Sequence, residues 1–170
     1  SFTGVYIFLK ILTFLFEVHS ELFKYLVFAN LLLLLLSIFF TVQKKYKERG
    51  KQGGLFSDIK AGLRAVSVYA LAVSVFVYIY YGFIDRDYME NKIKERVEWV
   101  KNADIEKLKK ENDNLNYANK KDLIREEKER AEFLFTAFTQ STFTLLALIL
   151  TGLVYSGFIA LLYRKVLWSE

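Results

Sequence analysis

Three stretches of the chain, residues 25–42, 65–84 and 143–163, contain no Asp, Glu, Lys, Arg or His. Their lengths are 18, 20 and 21 residues. At about 1.5 Å per residue, each predicts a helix that crosses a hydrocarbon core of roughly 30 Å, the shortest only just. A fourth apolar segment, Phe2 to Phe16, is shorter and holds one charge, Lys10. It lacks a small-x-small cleavage site, so it reads as a retained first membrane helix rather than a signal peptide. Glu17, His19, Ser20 and Glu21 then form a polar turn into a helix from Leu22 to Val42, which includes the leucine run Leu31 to Leu36.

The expected fold is all-α: an integral membrane bundle of four membrane segments with a helical hairpin outside. Its divisions are an N-terminal transmembrane hairpin (1–42), a basic loop (43–64), a third span (65–84), the charged hairpin (85–130), a fourth span (131–163) and a tail (164–170).

Charge sets the expected orientation. Residues 43–64 carry seven basic and two acidic side chains, a net +5, equal to that of the whole chain. Gly50, Gly53 and Gly54 predict a flexible loop there, and Ser57 is the expected N-cap of the third helix. Under the positive-inside rule this loop and the tail face the cytoplasm. Both termini are then cytoplasmic and residues 85–130 periplasmic. Lys44, Lys45, Lys47, Arg49, Arg164 and Lys165 are expected to contact anionic lipid headgroups. That role accounts for the basic balance without nucleic-acid binding.

Residues 85–130 have 13 basic and 13 acidic side chains. Met89, Ile93, Val97 and Val100 share one helical face, which Ile105 and Leu108 continue. Asn112 to Asn116 favour a turn, and a second helix is expected to start near Asn119, carry Leu123 and Ile124, and pass through Arg130 into the fourth span. Trp99 and Tyr117 are the main aromatics of a surface that packs passively or docks a partner.

Polar groups within the spans are the candidate functional residues. A charge at mid-bilayer costs about 2.5–3.5 kcal/mol on insertion scales. Lys10 is therefore expected to pair with Asn30, which lies equally far from the first turn, or to reach an interface. In the fourth span Thr136, Gln140, Thr144, Thr151 and Tyr155 recur at helical spacing. Such a stripe joins helices or lines a wet path. Gly152 and Ser156 form a small-residue pair beside it, and Ala70 and Ser74 another in the third span.

Composition narrows the chemistry. At 54% hydrophobic, 17% aromatic and 25% charged, the chain is more apolar than an ordinary soluble domain. The absence of Cys excludes disulfides and thiolate metal sites, and a single His excludes bis-histidine haem ligation. Glu17, His19 and Glu21 cluster, but His19 points away from the two acids on a helix. Gly50 to Gly54 lacks the strand and Lys-Ser/Thr of a phosphate loop. Asp85 and Asp87 read as acids at a helix start. The chain therefore reads as non-catalytic, with no cofactor and no metal.

Phe56-Ser-Asp-Ile-Lys-Ala-Gly-Leu, Tyr80-Tyr-Gly-Phe-Ile-Asp-Arg-Asp-Tyr and Gly157-Phe-Ile-Ala-Leu-Leu-Tyr-Arg-Lys enter the third span, leave it and end the fourth. Together they resemble a bacterial domain-of-unknown-function family of small four-span membrane proteins. The resemblance covers most of residues 25–166. It implies the bacterial inner membrane and supplies no catalytic residues. That family often has Pro where this chain has Arg86, which implies a straighter turn after Asp85 here. Association of some members with envelope glycosyltransferases implies an accessory role. The expected function is a non-catalytic accessory, anchoring or assembly subunit of a larger inner-membrane complex, with other membrane subunits as partners. The alternative is a small transporter or a self-associated pore lined by the fourth-span stripe.

Overall fold

A computed structural model describes residues 2–16, 19–49, 54–103 and 120–167. Among them every regular element is a helix. The elements are α1 (Phe2–Leu15), α2 (His19–Arg49), α3 (Leu55–Ile79), α4 (Arg86–Asn102), α5 (Lys120–Leu134) and α6 (Ala137–Leu162). π-helical turns at Tyr80–Ile84 and Tyr163–Leu167 extend α3 and α6. Three helical stretches, Leu22–Glu48, Leu55–Ile84 and Ala137–Lys165, are long and apolar enough to cross a membrane. The 14-residue α1 is shorter, about 21 Å at the helical rise. The chain divides into two compact units, Ser1–Phe76 with Thr142–Glu170, and Val77–Ser141.

In the first unit α1 and α2 form an antiparallel hairpin. Phe2 stacks on Phe40, with ring centroids 5.8 Å apart and planes within 10°. The buried face of α2 is Leu26, Asn30, Leu34, Ile38, Val42 and Tyr46, a strict four-residue repeat. At 3.6 residues per turn this stripe winds slowly around the helix. Leu34 is fully buried while Leu32 is exposed, so the leucine run contributes one face to the core. Val66, Tyr69, Ala70 and Val73 of α3 and Leu148, Ser156, Ile159 and Ala160 of α6 complete it.

Glycine sets the closest approach. A Cβ on Gly152 would collide with both γ-carbons of Val66, and one on Gly62 would lie 2.8 Å from the Ser156 Cβ and 3.2 Å from Ile38 Cγ2. Gly152 thus receives the Val66 side chain and Gly62 the Ser156 side chain, so each glycine lets a side chain of the other helix reach its backbone. The Ser156 hydroxyl donates to Gly152 O at 2.7 Å, so no polar group faces Gly62 unsatisfied.

The basic segment is mostly helix rather than loop. Residues 43–49 continue α2 and residues 55–64 open α3. Gln, Lys, Glu and Arg are good helix formers, and nothing obliges a helix to end where the apolar run ends. α3 starts two residues before the expected cap: Ser57 N–H donates to Gly54 O at 2.8 Å and lies within the first turn.

In the second unit α4 and α5 pair as a helical hairpin. Met89 and Val100 of α4 are buried against Leu123, Glu127 and Ala131 of α5, with Ile93 and Val97 half-buried. Asp85 (φ −124°, ψ 59°) separates the π turn, which ends at Ile84, from α4. One expected helix boundary needs correction: the helix expected to run from the hairpin into the fourth span is broken at Phe135 and Thr136. Gly82 meets this break, where a Cβ would sit 3.7 Å from Ala137 Cβ. Ile105, Leu108, the Asn112–Asn116 turn, Tyr117 and Glu17 lie outside the described residues, as do the side chains of His19, Ser20, Glu21 and Arg49.

Candidate functional site

The buried face of α1 is polar. It consists of Tyr6, Lys10 and Thr13, each less than 10% exposed. Apolar Val5, Phe8, Ile11, Leu12 and Leu15 point outward instead. The polar groups of α1 thus turn toward the other helices and its apolar groups away from them. Lys10 is 3% exposed, which places its side chain inside the unit rather than on the surface. The Thr13 hydroxyl donates to Lys10 O at 3.0 Å. Tyr6 meets Phe76 edge to face, with centroids 6.4 Å apart.

Asn30 is also buried, and its donor comes from α3. The Tyr69 hydroxyl donates to Asn30 Oδ1 at 2.7 Å and lies 3.3 Å from Asn30 O. Tyr69 was not among the residues singled out from sequence. One of 11 tyrosines in an apolar helix gives little signal. Its spacing from Val66, Ala70 and Val73 is the one clue that it faces inward.

At one end of this unit lie the end of α2, the start of α3 and the end of α6. Tyr163 packs against Phe39 and Tyr46, with centroids 5.2 and 6.1 Å away. Arg164 Nε donates to Asp58 Oδ2 at 2.8 Å. Asp58 is 3% exposed, a buried carboxylate whose counter-charge comes from the far end of the sequence. Arg164, one of the residues expected to touch lipid headgroups, pairs with Asp58 while a quarter of its side chain stays exposed. Lys44, Lys47 and Lys165 are exposed, and Lys45 is half-buried with its amine 3.7 Å from Glu48.

Thr136 and Gln140 of the expected stripe serve the break between α5 and α6. Thr136 Oγ1 accepts from Thr139 N–H at 3.1 Å, an N-cap of α6. The Thr139 hydroxyl donates to Phe133 O at 2.8 Å, and Gln140 Nε2 donates to Leu134 O at 3.0 Å. Carbonyls at the end of a helix lose their internal donors, and here side chains of the next helix replace them. Thr139, like Tyr69, is a residue that sequence reading missed, although Thr136 ahead of an apolar run is itself a helix-start signal. Thr144, Thr151 and Tyr155 are half-buried beside the packing face of Leu148, Gly152 and Ser156. Ala70 and Ser74 are buried on α3.

In the hairpin Glu127 occupies a core position, 7% exposed. Arg96 Nη2 and Arg130 Nη1 lie 3.2 and 3.1 Å from its two oxygens. The Arg96 guanidinium also covers the Trp99 ring at 4.7 Å. Tyr88 stacks on Tyr81 and carries Lys92 over its ring. Burial pushes the Tyr88 hydroxyl pKa up from its ordinary value. The hydrogen bond to Glu95, at 2.6 Å, holds Lys92 above the usual lysine range. Among the described residues no group of three or more His, Asp or Glu side chains is arranged to hold a metal ion.

No curated protein and no solved structure matches this chain significantly. A family model described as "Protein of unknown function (DUF4199)" matches residues 1–165, and the chain belongs to that family.

Proposed function

We propose that this protein is a non-catalytic accessory, anchoring or assembly subunit of a larger complex in the bacterial inner membrane. Two of its buried polar groups find partners within the chain: Asn30 accepts from Tyr69 of another helix, and Ser156 donates to Gly152 O of its own helix beside Gly62. The outer faces are apolar and aromatic, with Phe8, Phe28, Val68 and Phe158 each more than 60% exposed. That contrast carries the reading. A scaffold closed on its polar side and open on its apolar side presents other helices with surface, not with chemistry.

In this reading α1 is a fourth, short membrane segment beside the three long ones. The Lys- and Arg-rich ends of α2, α3 and α6 face the cytoplasm, as the positive-inside rule requires. Both termini then lie inside and residues 85–130 in the periplasm. An envelope glycosyltransferase is the partner class that the family resemblance favours.

Affinity purification from native membranes in a mild detergent, with mass spectrometry of co-eluting proteins, tests this. One dominant multi-subunit partner in stoichiometric amount supports it. A homogeneous self-assembly without a partner overturns it, and solute flux in liposomes then becomes the question.

A further inference from the structure

Beside the Asp58–Arg164 pair, α2 and α3 enclose a pocket of about 340 Å³ lined by Lys45, Phe56, Ser57, Lys60, Ala61 and Arg64. Three of the six lining side chains are cations, and none is an acid. Asp58, adjacent in sequence, does not neutralise them because its carboxylate is buried and bound by Arg164. Among the described residues Lys60 and Arg64 have no acidic partner, and Lys45 shares only the half-exposed Glu48. Like charges held together without counter-ions repel, so the cluster favours an anion that bridges them.

The position specifies what kind of anion. Lys45 lies three residues beyond the apolar run 25–42, and Arg64 immediately precedes the run 65–84. The pocket therefore sits at headgroup depth if these runs span the bilayer, a placement that rests on the membrane reading above but not on the accessory role. Phe56, 86% exposed, supplies an apolar wall on the same pocket. Cations, a hydroxyl and an exposed aromatic ring together match a phosphate joined to an apolar tail.

We propose that Lys45, Lys60, Arg64 and Ser57 form a site for a phosphate group, occupied in the membrane by the headgroup of an anionic phospholipid. This differs from diffuse attraction of a basic surface to a charged leaflet because it assigns one discrete site, and because it excludes Lys44 and Lys47. Those two lysines line a separate depression on α2 together with Glu48.

The test uses the full chain purified in detergent and native mass spectrometry of retained phosphatidylglycerol and phosphatidylcholine. Wild type should retain phosphatidylglycerol selectively. Lys60→Gln with Arg64→Gln should weaken that retention by about 30-fold. Lys44→Gln with Lys47→Gln, the same loss of charge, should change it by less than about 3-fold. Lys60→Arg with Arg64→Lys, which keeps both charges, should restore it, and unchanged thermal unfolding of each variant checks that folding is intact. Equal loss in both Gln pairs overturns the site, and so does equal retention of the two lipids when the wild-type chain also fails to bind inorganic phosphate. Equal retention of the two lipids with inorganic phosphate bound by wild type and lost in Lys60→Gln with Arg64→Gln keeps the phosphate site and assigns it to a soluble source. Release of the wild-type chain from membranes by urea overturns the membrane reading separately, since phosphate binding is still read in solution.

Discussion

Arg164 reaches across 106 residues of sequence to place Nε 2.8 Å from Oδ2 of Asp58. The pair ties the first turn of α3 to the π-helical end of α6. Its two members are unequal: the Asp58 side chain is 5% exposed and the Arg164 side chain 25%. Removing Arg164 therefore abandons a buried carboxylate, whereas removing the charge of Asp58 leaves a side chain that is partly exposed, though its Nη2 is buried. Arg164→Ala should cost about 3 kcal/mol and Asp58→Asn about 1–2 kcal/mol. Denaturant unfolding in detergent measures both. Equal losses would show that the pair matters only as a contact and not as a buried charge.

The α3–α6 crossing predicts a rescue. Gly152→Ala places a methyl group where Val66 already is. Overpacking of this kind costs about 1–3 kcal/mol. Val66→Ala alone opens a cavity, but combined with Gly152→Ala it trades one methyl group for others at the same spot. The double variant should be more stable than the sum of the single losses by at least about 1 kcal/mol. Strict additivity in thermal unfolding would count against the observed approach.

Thr136→Ala removes the cap of α6 and should cost about 1 kcal/mol. Gln140→Leu should cost a similar amount, about 1–2 kcal/mol, because Leu134 O loses its donor. Neither should act on solute permeability. Hydrogen exchange of the amides in residues 137–141 reads the effect directly, with faster exchange expected in both variants. Unchanged exchange together with altered flux in liposomes would instead return Gln140 to a pore-lining role.

The hairpin should lose stability at alkaline pH. Tyr88 and Lys92 both hold their protons more tightly when folded than their ordinary values of 10.0 and 10.5 imply. Their contribution is complete below those values and disappears as pH rises through the raised ones. The Lys92–Glu95 bond is exposed, so the lysine part is small. Helical circular dichroism of the full chain in detergent should be flat from neutral pH to about 10 and decline above it. Tyr88→Phe should make that decline shallower. An identical alkaline transition in the variant would remove Tyr88 from the account.

Much of the architecture is legible in the pattern of residues. The three charge-free runs mark the helices α2, α3 and α6, because length and apolarity suffice to say that a segment is a buried or lipid-facing helix. Met89, Ile93, Val97 and Val100 mark the inner face of α4. Gly152 and Ser156 are visible as a packing pair, since small residues four apart share a face. Helix ends are less legible: the Lys-rich extension of α2 and the break at Thr136 depend on propensities and caps worth about 1 kcal/mol each.

What sequence alone determined is thus the class of object, its helices and the scarcity of reactive groups. These depend on composition and on contacts within a few residues. The tertiary structure alone decided which leucine of a uniform run is buried, that Asn30 takes its hydrogen bond from Tyr69, and that Asp58 holds Arg164. It also decided that Lys45 shares a pocket with Lys60 and Arg64. Helical periodicity says which residues share a face but not which helix that face will meet. Pairings between distant segments arise only when several faces are packed together at once, and the polar groups then take the partners that the packing leaves within reach.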